Sequence, residues 1–98
     1  MTHATVIYRR GGRWDAAAPF REQSGIGAHV GFLRERSADG SLLCGGPFTD
    51  DSGGVAIYRC DDLPALTALV GSDPCVVDGL LEAEIHPTML PFMPGAHG

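Results

Sequence analysis

The chain has 98 residues, 44% hydrophobic and 19% charged, with a net charge of −5 and a pI near 5.1. These totals fit one globular domain, 1–98, with a core over about 4–87 and a C-terminal tail over 88–98. All seven basic residues are arginines, which excludes a lysine Schiff base and a Gly-Lys-Ser/Thr phosphate loop. The acidic balance, with a single basic cluster at Arg9, Arg10 and Arg13, excludes a nucleic-acid-binding stripe.

Residues 5–9 are β-branched and aromatic and predict a first strand, ended by Gly11 and Gly12. Residues 13–18 read as a loop. Pro19 then starts a helix over 19–36, on which Ile26, His29, Val30 and Leu33 fall at i, i+3, i+4 and i+7 and share one face. Gly25, Gly27 and Gly31 weaken this helix by up to about 1 kcal/mol each. Gly27 and Gly31, four apart, also make a smooth ridge open to close packing by another backbone. Arg34, Glu35 and Arg36 form its solvated end, and Asp39-Gly40 turns the chain.

Residues 41–48 predict a second strand that stops in the break Gly45-Gly46-Pro47. An acidic turn over 50–54 leads into a third strand over 55–60, the two forming an antiparallel hairpin. Asp61 or Asp62 caps a second helix with Pro64 in its first turn, a stripe of Leu66, Leu69 and Val70, and Gly71 at its close. Residues 73–78 make a short turn. In the last segment Leu81, Ala83 and Ile85 alternate with Glu82, Glu84 and His86, the period of a half-buried strand.

The order β-α-β-β-α-β is the ferredoxin-like split βαβ arrangement, α+β, with two helices on one face of a four-stranded antiparallel sheet. The other face is free to stack on a second copy and enclose a chamber. A domain of this size buries only about 60–65% of its unfolded surface, so a homodimer is the expected partner state. Residues 88–98 have neither period; they frame the chamber or lie loose.

Cys44, Cys60 and Cys75 form no C-x-x-C pair, which argues against a disulfide framework or a structural zinc. They read as small buried hydrophobes, with a reactive thiol at Cys75, near a helix start, as the sharper alternative. The first residues show no positive n-region and no segment approaches about 18 apolar residues. The expectation is therefore a cytoplasmic protein without a membrane partner.

Several motifs together resemble the YCII-related (YciI-like) family over nearly the whole chain, 6–87. They are Ala28-His29-x-x-x-Leu33, Leu42-Leu43-x-x-Gly46-Pro47 with the Gly-Gly turn before strand three, Ser72-Asp73-Pro74-Cys75-Val76, and Glu84-Ile85-His86-Pro87. The resemblance implies a dimeric α/β barrel. It also implies an active site made of the first-helix histidine and the aspartate of the Asp-Pro pair, here His29 and Asp73. Activities known in the family include dehydrochlorination of a chlorinated hydroxyhydroquinone. The segment 22–27 lacks the family's usual lead-in to the histidine, and the tail is longer than usual.

Each of these residues also has a plainer role. His29 on an apolar face fits a hydrogen-bonded core histidine; as a catalytic group it would exchange a proton near neutral pH, oriented by Asp73. Asp73 before Pro74 fits an N-cap of the turn that follows. Gly45, Gly46 and Pro47 fit a β-bulge or turn, or else a ligand-binding edge near His29. Tyr8 fits packing, with ligand contact as its alternative. Asp50 and Asp51 lack calcium-loop spacing. His3, His86 and His97 are too scattered for a metal site within one chain.

The expected function is a cofactor-independent acid/base enzyme, of lyase or isomerase type, acting on a small cyclic or carbonyl compound, with no metal. No nicotinamide, flavin or haem fingerprint is present. The alternatives are a non-catalytic binding module for a small molecule or a protein on the same dimeric fold, and, more weakly, a metal-dependent variant with His29 and Asp73 as ligands.

Overall fold

The computed structural model describes residues 2–94. Four strands, β1 (Thr2–Arg10), β2 (Leu42–Pro47), β3 (Gly53–Cys60) and β4 (Leu81–Thr88), form an antiparallel sheet in the order β2-β3-β1-β4. Helices α1 (Ile26–Ala38), α2 (Leu63–Gly71) and α3 (Pro74–Val77) are the other regular elements, with a single 3-10 turn at Phe20–Glu22. The topology is the ferredoxin-like one.

Alternation along the strands decides which sheet face is buried. Ala4, Val6 and Tyr8 of β1 and Ala56, Tyr58 and Cys60 of β3 are all 5% exposed or less, and they pack with Leu66, Val70, Cys75, Leu80 and Leu81. Their alternates stay only half-buried or exposed: Thr5, Ile7 and Arg9 on β1, Val55 and Ile57 on β3, and Glu82, Glu84 and His86 on β4. This second face carries polar cross-strand contacts, Thr5 to Thr88 at 2.8 Å and Arg9 to Glu84 at 2.9 Å.

Two predicted boundaries move. The first helix starts at Ile26, not Pro19, because Gln23 is extended and Gly25 is left-handed (φ 90°), which separates the 3-10 turn from α1. A residue with a Cβ is strained at that φ. The second strand does not stop at Gly45-Gly46-Pro47. These residues pair with Ala56, Val55 and Gly54, and the irregularity lies between Leu42 and Cys44. The ladder at this point requires glycine, because a Cβ on residue 45 would stand 2.7 Å from the Val55 carbonyl oxygen.

The apolar face of α1 is also rotated from the expected one. Ile26, His29 and Phe32 are buried, whereas Val30 is 41% exposed. Gly27 and Gly31 consequently turn away from the core, and no atom lies within 4 Å of a Cβ built on either. The ridge thus receives no packed backbone among the described residues.

The polar turns fold as local hydrogen-bonding units. Asp62 caps α2, accepting from the Ala65 N–H at 3.2 Å. Asp50 accepts from Ser52 N–H and Oγ at 2.9 and 2.6 Å, while the Asp51 carbonyl accepts from Arg10 at 2.9–3.0 Å. Arg13 donates to Asp78 and to the Ser24 carbonyl. The Arg9, Arg10 and Arg13 cluster is therefore engaged within the chain. Among the described residues, no helix is long and apolar enough to cross a membrane.

Candidate active site

His29 sits one turn into α1, and the segment before the helix fixes where that turn lies. Gln23, only 3% exposed, clamps the preceding loop: its Oε1 accepts from the Asp15 N–H at 2.9 Å, and its Nε2 donates to the Asp15 and Ala18 carbonyls at 2.7 and 2.8 Å. Ile26 N–H then donates to the Gln23 carbonyl, and α1 begins. The His29 side chain points inward and its ring meets Tyr8 edge-on, with centroids 4.8 Å apart.

Asp73 approaches from the other side. It is fully buried and precedes α3, whose Pro74 needs no N–H partner. Its Oδ1 accepts from the Cys75 N–H at 3.0 Å, the expected cap. Its Oδ2 lies 2.5 Å from His29 Nδ1. The two residues, 44 positions apart, are thus brought together, and the cap and the histidine contact coexist on one carboxylate. A carboxylate acceptor at Nδ1 places the ring proton there in the neutral histidine and leaves Nε2 as the basic nitrogen. Among the described residues Nε2 has no partner, yet no fully buried side-chain nitrogen or oxygen lacks one. It therefore opens into the cavity that His29 lines.

That cavity holds about 500 Å³ and lies within one protomer, between α1, the 3-10 turn and the adjoining ends of β2 and β3. Tyr8, Gly46 and Pro47 line it with His29. Gly45 is not among its lining residues; it faces the β3 backbone instead. The histidine is on the helix-covered side of the sheet. The expected chamber between two stacked sheets is therefore not where His29 lies, because the odd-numbered face of β1 points the other way.

The family model of the YCII-related domain matches residues 1–88. The chain belongs to the YCII-related family. Among solved structures it is similar to 5-chloro-2-hydroxyhydroquinone dehydrochlorinase from Burkholderia phenoliruptrix AC1100, in complex with 2,5-dihydroxybenzoquinone. The TM-score is 0.64 at 21% identity, over 88% of this chain and 93% of that one. At this identity the likeness concerns the fold alone. No curated protein matches the chain.

Residues of this YCII-related domain that sequence patterns miss also shape the site. Arg34, read as part of a solvated helix end, lines the cavity, as do Arg21 and Phe20. Gly27, Val30 and Arg34 fall at i, i+3 and i+7, a spacing that would have placed Arg34 on the cavity side of α1. Nothing in the sequence flags Arg21. Cys75 does not fit a reactive thiol: it is 1% exposed, and burial, then the neighbouring Asp73, pushes its pKa up. Among the described residues no group of three or more His, Cys, Asp or Glu is placed to hold a metal; His97 lies outside them.

Tyr8, beside His29, and Tyr58, beside Tyr8, are held neutral. Burial, then the approach of Tyr58, pushes the Tyr8 pKa far above its ordinary 10.0, and burial also raises that of Tyr58. Their hydroxyls lie 3.4 Å apart. Because the folded values exceed the unfolded ones, the stabilisation is complete below pH 10 and is lost as pH rises beyond it. Alkaline titration at 295 nm is expected to show neither tyrosine ionising near pH 10 in the native protein, with tyrosinate absorbance appearing only as the far-UV circular dichroism collapses. Ionisation of one tyrosine near pH 10 with the fold intact would contradict this packing.

Proposed function

We propose that the protein is an acid/base enzyme of lyase or isomerase type acting on a small cyclic or carbonyl compound. The observation that carries this reading is the His29–Asp73 contact, with the second ring nitrogen open to a cavity large enough for a single ring. Asp73 fixes the tautomer and stabilises the imidazolium that forms during turnover; His29 Nε2 moves the proton. Tyr8 holds the ring of His29 edge-on and offers a neutral phenol.

In an elimination, Nε2 takes a proton from a hydroxyl or carbon beside a ring carbonyl. The freed electron pair forms the new π bond, and the leaving group departs with its own bonding pair. In an isomerisation the imidazolium returns the proton to another carbon of the same substrate. The fold-sharing dehydrochlorinase acts on a chlorinated hydroxyhydroquinone, which makes halogenated and hydroxylated ring compounds the first panel to assay.

Within that panel, His29→Gln is expected to lower kcat by about 10²–10⁴-fold with KM little changed. Asp73→Asn, which keeps an acceptor for the Cys75 N–H, is expected to lose less. Wild-type kcat in His29→Gln would remove the reading. Tight ligand binding with no turnover by the wild type would favour the binding-module alternative.

We further propose that a second copy covers the open sheet face, where Ile7, Val55 and Ile57 form a half-buried apolar strip between polar flanks. Sedimentation velocity is expected to show about twice the 10.3 kDa chain mass for the wild type, and the monomer for Ile7→Lys, whose charge would be buried unpaired. A monomeric wild type would discard the dimer.

A further inference from the structure

The chain carries 12 acidic residues against seven arginines, yet the cavity beside His29 reverses that balance. Among the described residues its ionisable lining, besides His29 and the neutral phenol of Tyr8, is Arg21 and Arg34, with no aspartate or glutamate. The other described arginines are engaged. Arg9 binds Glu84, Arg10 the Asp51 carbonyl, Arg13 Asp78, Arg36 Asp39, and Arg59 the Gly40 carbonyl. Arg21 and Arg34 make no ion pair or side-chain hydrogen bond among the described residues, and both are exposed.

A third feature has the same sign. The N-terminus of the 13-residue α1 borders the cavity through Ile26 and Gly27, and it has neither a side-chain cap nor an acidic residue in its first turn. The helix dipole leaves partial positive charge at such an end, although the Ile26 and Ala28 N–H groups already donate to the Gln23 and Gly25 carbonyls. Two free guanidinium forks and an uncapped helix end thus face a largely apolar space that also holds a proton-transfer group.

We propose that the substrate is an anion: a ring-sized molecule with a carboxylate or an ionised ring hydroxyl, held by Arg21 and Arg34 while His29 works elsewhere on the ring. The inference rests on the acid/base reading and names the substrate class of that site. The guanidinium fork matches a two-oxygen anion in its plane. Arg34 rides on α1, five residues beyond His29, whereas Arg21 comes from the 3-10 turn. The anion is therefore gripped from two separate segments, and its position relative to Nε2 is set by the same loop that Gln23 clamps. An anionic substrate also explains why the lining excludes carboxylates in so acidic a chain.

The test compares anions with neutral rings of the same size by isothermal titration: 2,5-dihydroxybenzoquinone, ionised at neutral pH, against hydroquinone, and benzoate against benzamide. At least one anion is expected to bind at least tenfold more tightly than its neutral counterpart; the preferred pair tells ring oxygens from carboxylate. Its affinity is expected to fall with added salt. Arg21→Ala and Arg34→Ala are expected each to weaken it about tenfold, the loss of one charged hydrogen bond. Arg34→Lys is expected to retain part of the affinity, keeping the charge without the fork. Both arginines are exposed and unpaired, so the variants should keep the fold, checked by circular dichroism.

Equal binding of the neutral rings, no binding of either anion, or unchanged affinity in the arginine variants would each overturn the proposal. His29→Gln separates it from the reading beneath it. Anion binding retained in that variant, together with turnover unaffected by the substitution, removes the acid/base role and leaves the anion site. Turnover lost in that variant without charge discrimination by the wild type removes the anion site alone.

Discussion

Asp73 is the point on which this structure turns. A carboxylate with no exposed surface is expensive unless both oxygens are satisfied, and here each has a partner from a different element. Oδ1 takes the Cys75 N–H of α3; Oδ2 takes His29 of α1. The same carboxylate therefore closes a helix end and ties two helices together over the sheet. Removing one partner of such a buried pair costs about 3–5 kcal/mol, a large part of the stability of a small domain.

The geometry around that contact follows from where the chain must bend to reach it. Gly25 adopts φ 90°, Gln23 holds the loop before it, and Cys75 Sγ donates to the Gly25 carbonyl at 3.2 Å. The start of α1 and the start of α3 are thus linked twice, through Cys75 and through the Asp73–His29 contact. This pins one imidazole nitrogen and leaves the other at the cavity wall. Tyr8, packed edge-on and held neutral by burial, restricts the ring from the sheet side. The arrangement constrains rotamer and tautomer together, which a catalytic base requires.

Much of this was legible in the amino-acid sequence, for physical reasons that differ by element. The β-branched run of β1 and the strict alternation of β4 predicted the sheet, and Asp62 before a proline-bearing turn predicted a capped helix. The pairing of His29 with Asp73 was reachable through family resemblance; periodicity alone left both residues with structural roles. What escaped depended on tertiary context. The left-handed Gly25 delayed α1 by seven residues from the predicted start at Pro19, and a ladder hydrogen-bonded through Gly45 and Gly46 looked like a break. The rotated face of α1 sent Phe32 inward and Val30 outward. Arg21 carries no local signal because its role depends on a cavity assembled from distant segments.

The measurement that bears most directly on this account is the ring tautomer of His29, read from long-range ¹H–¹⁵N correlations on the alkaline side of its titration. The geometry predicts a proton on Nδ1 and a bare Nε2 in the wild type, with the pattern shifting toward the Nε2–H form in Asp73→Ala. A wild-type ring protonated on Nε2 would leave the proposed base no free nitrogen facing the cavity, and a tautomer indifferent to Asp73 would mean that the carboxylate does not orient the histidine.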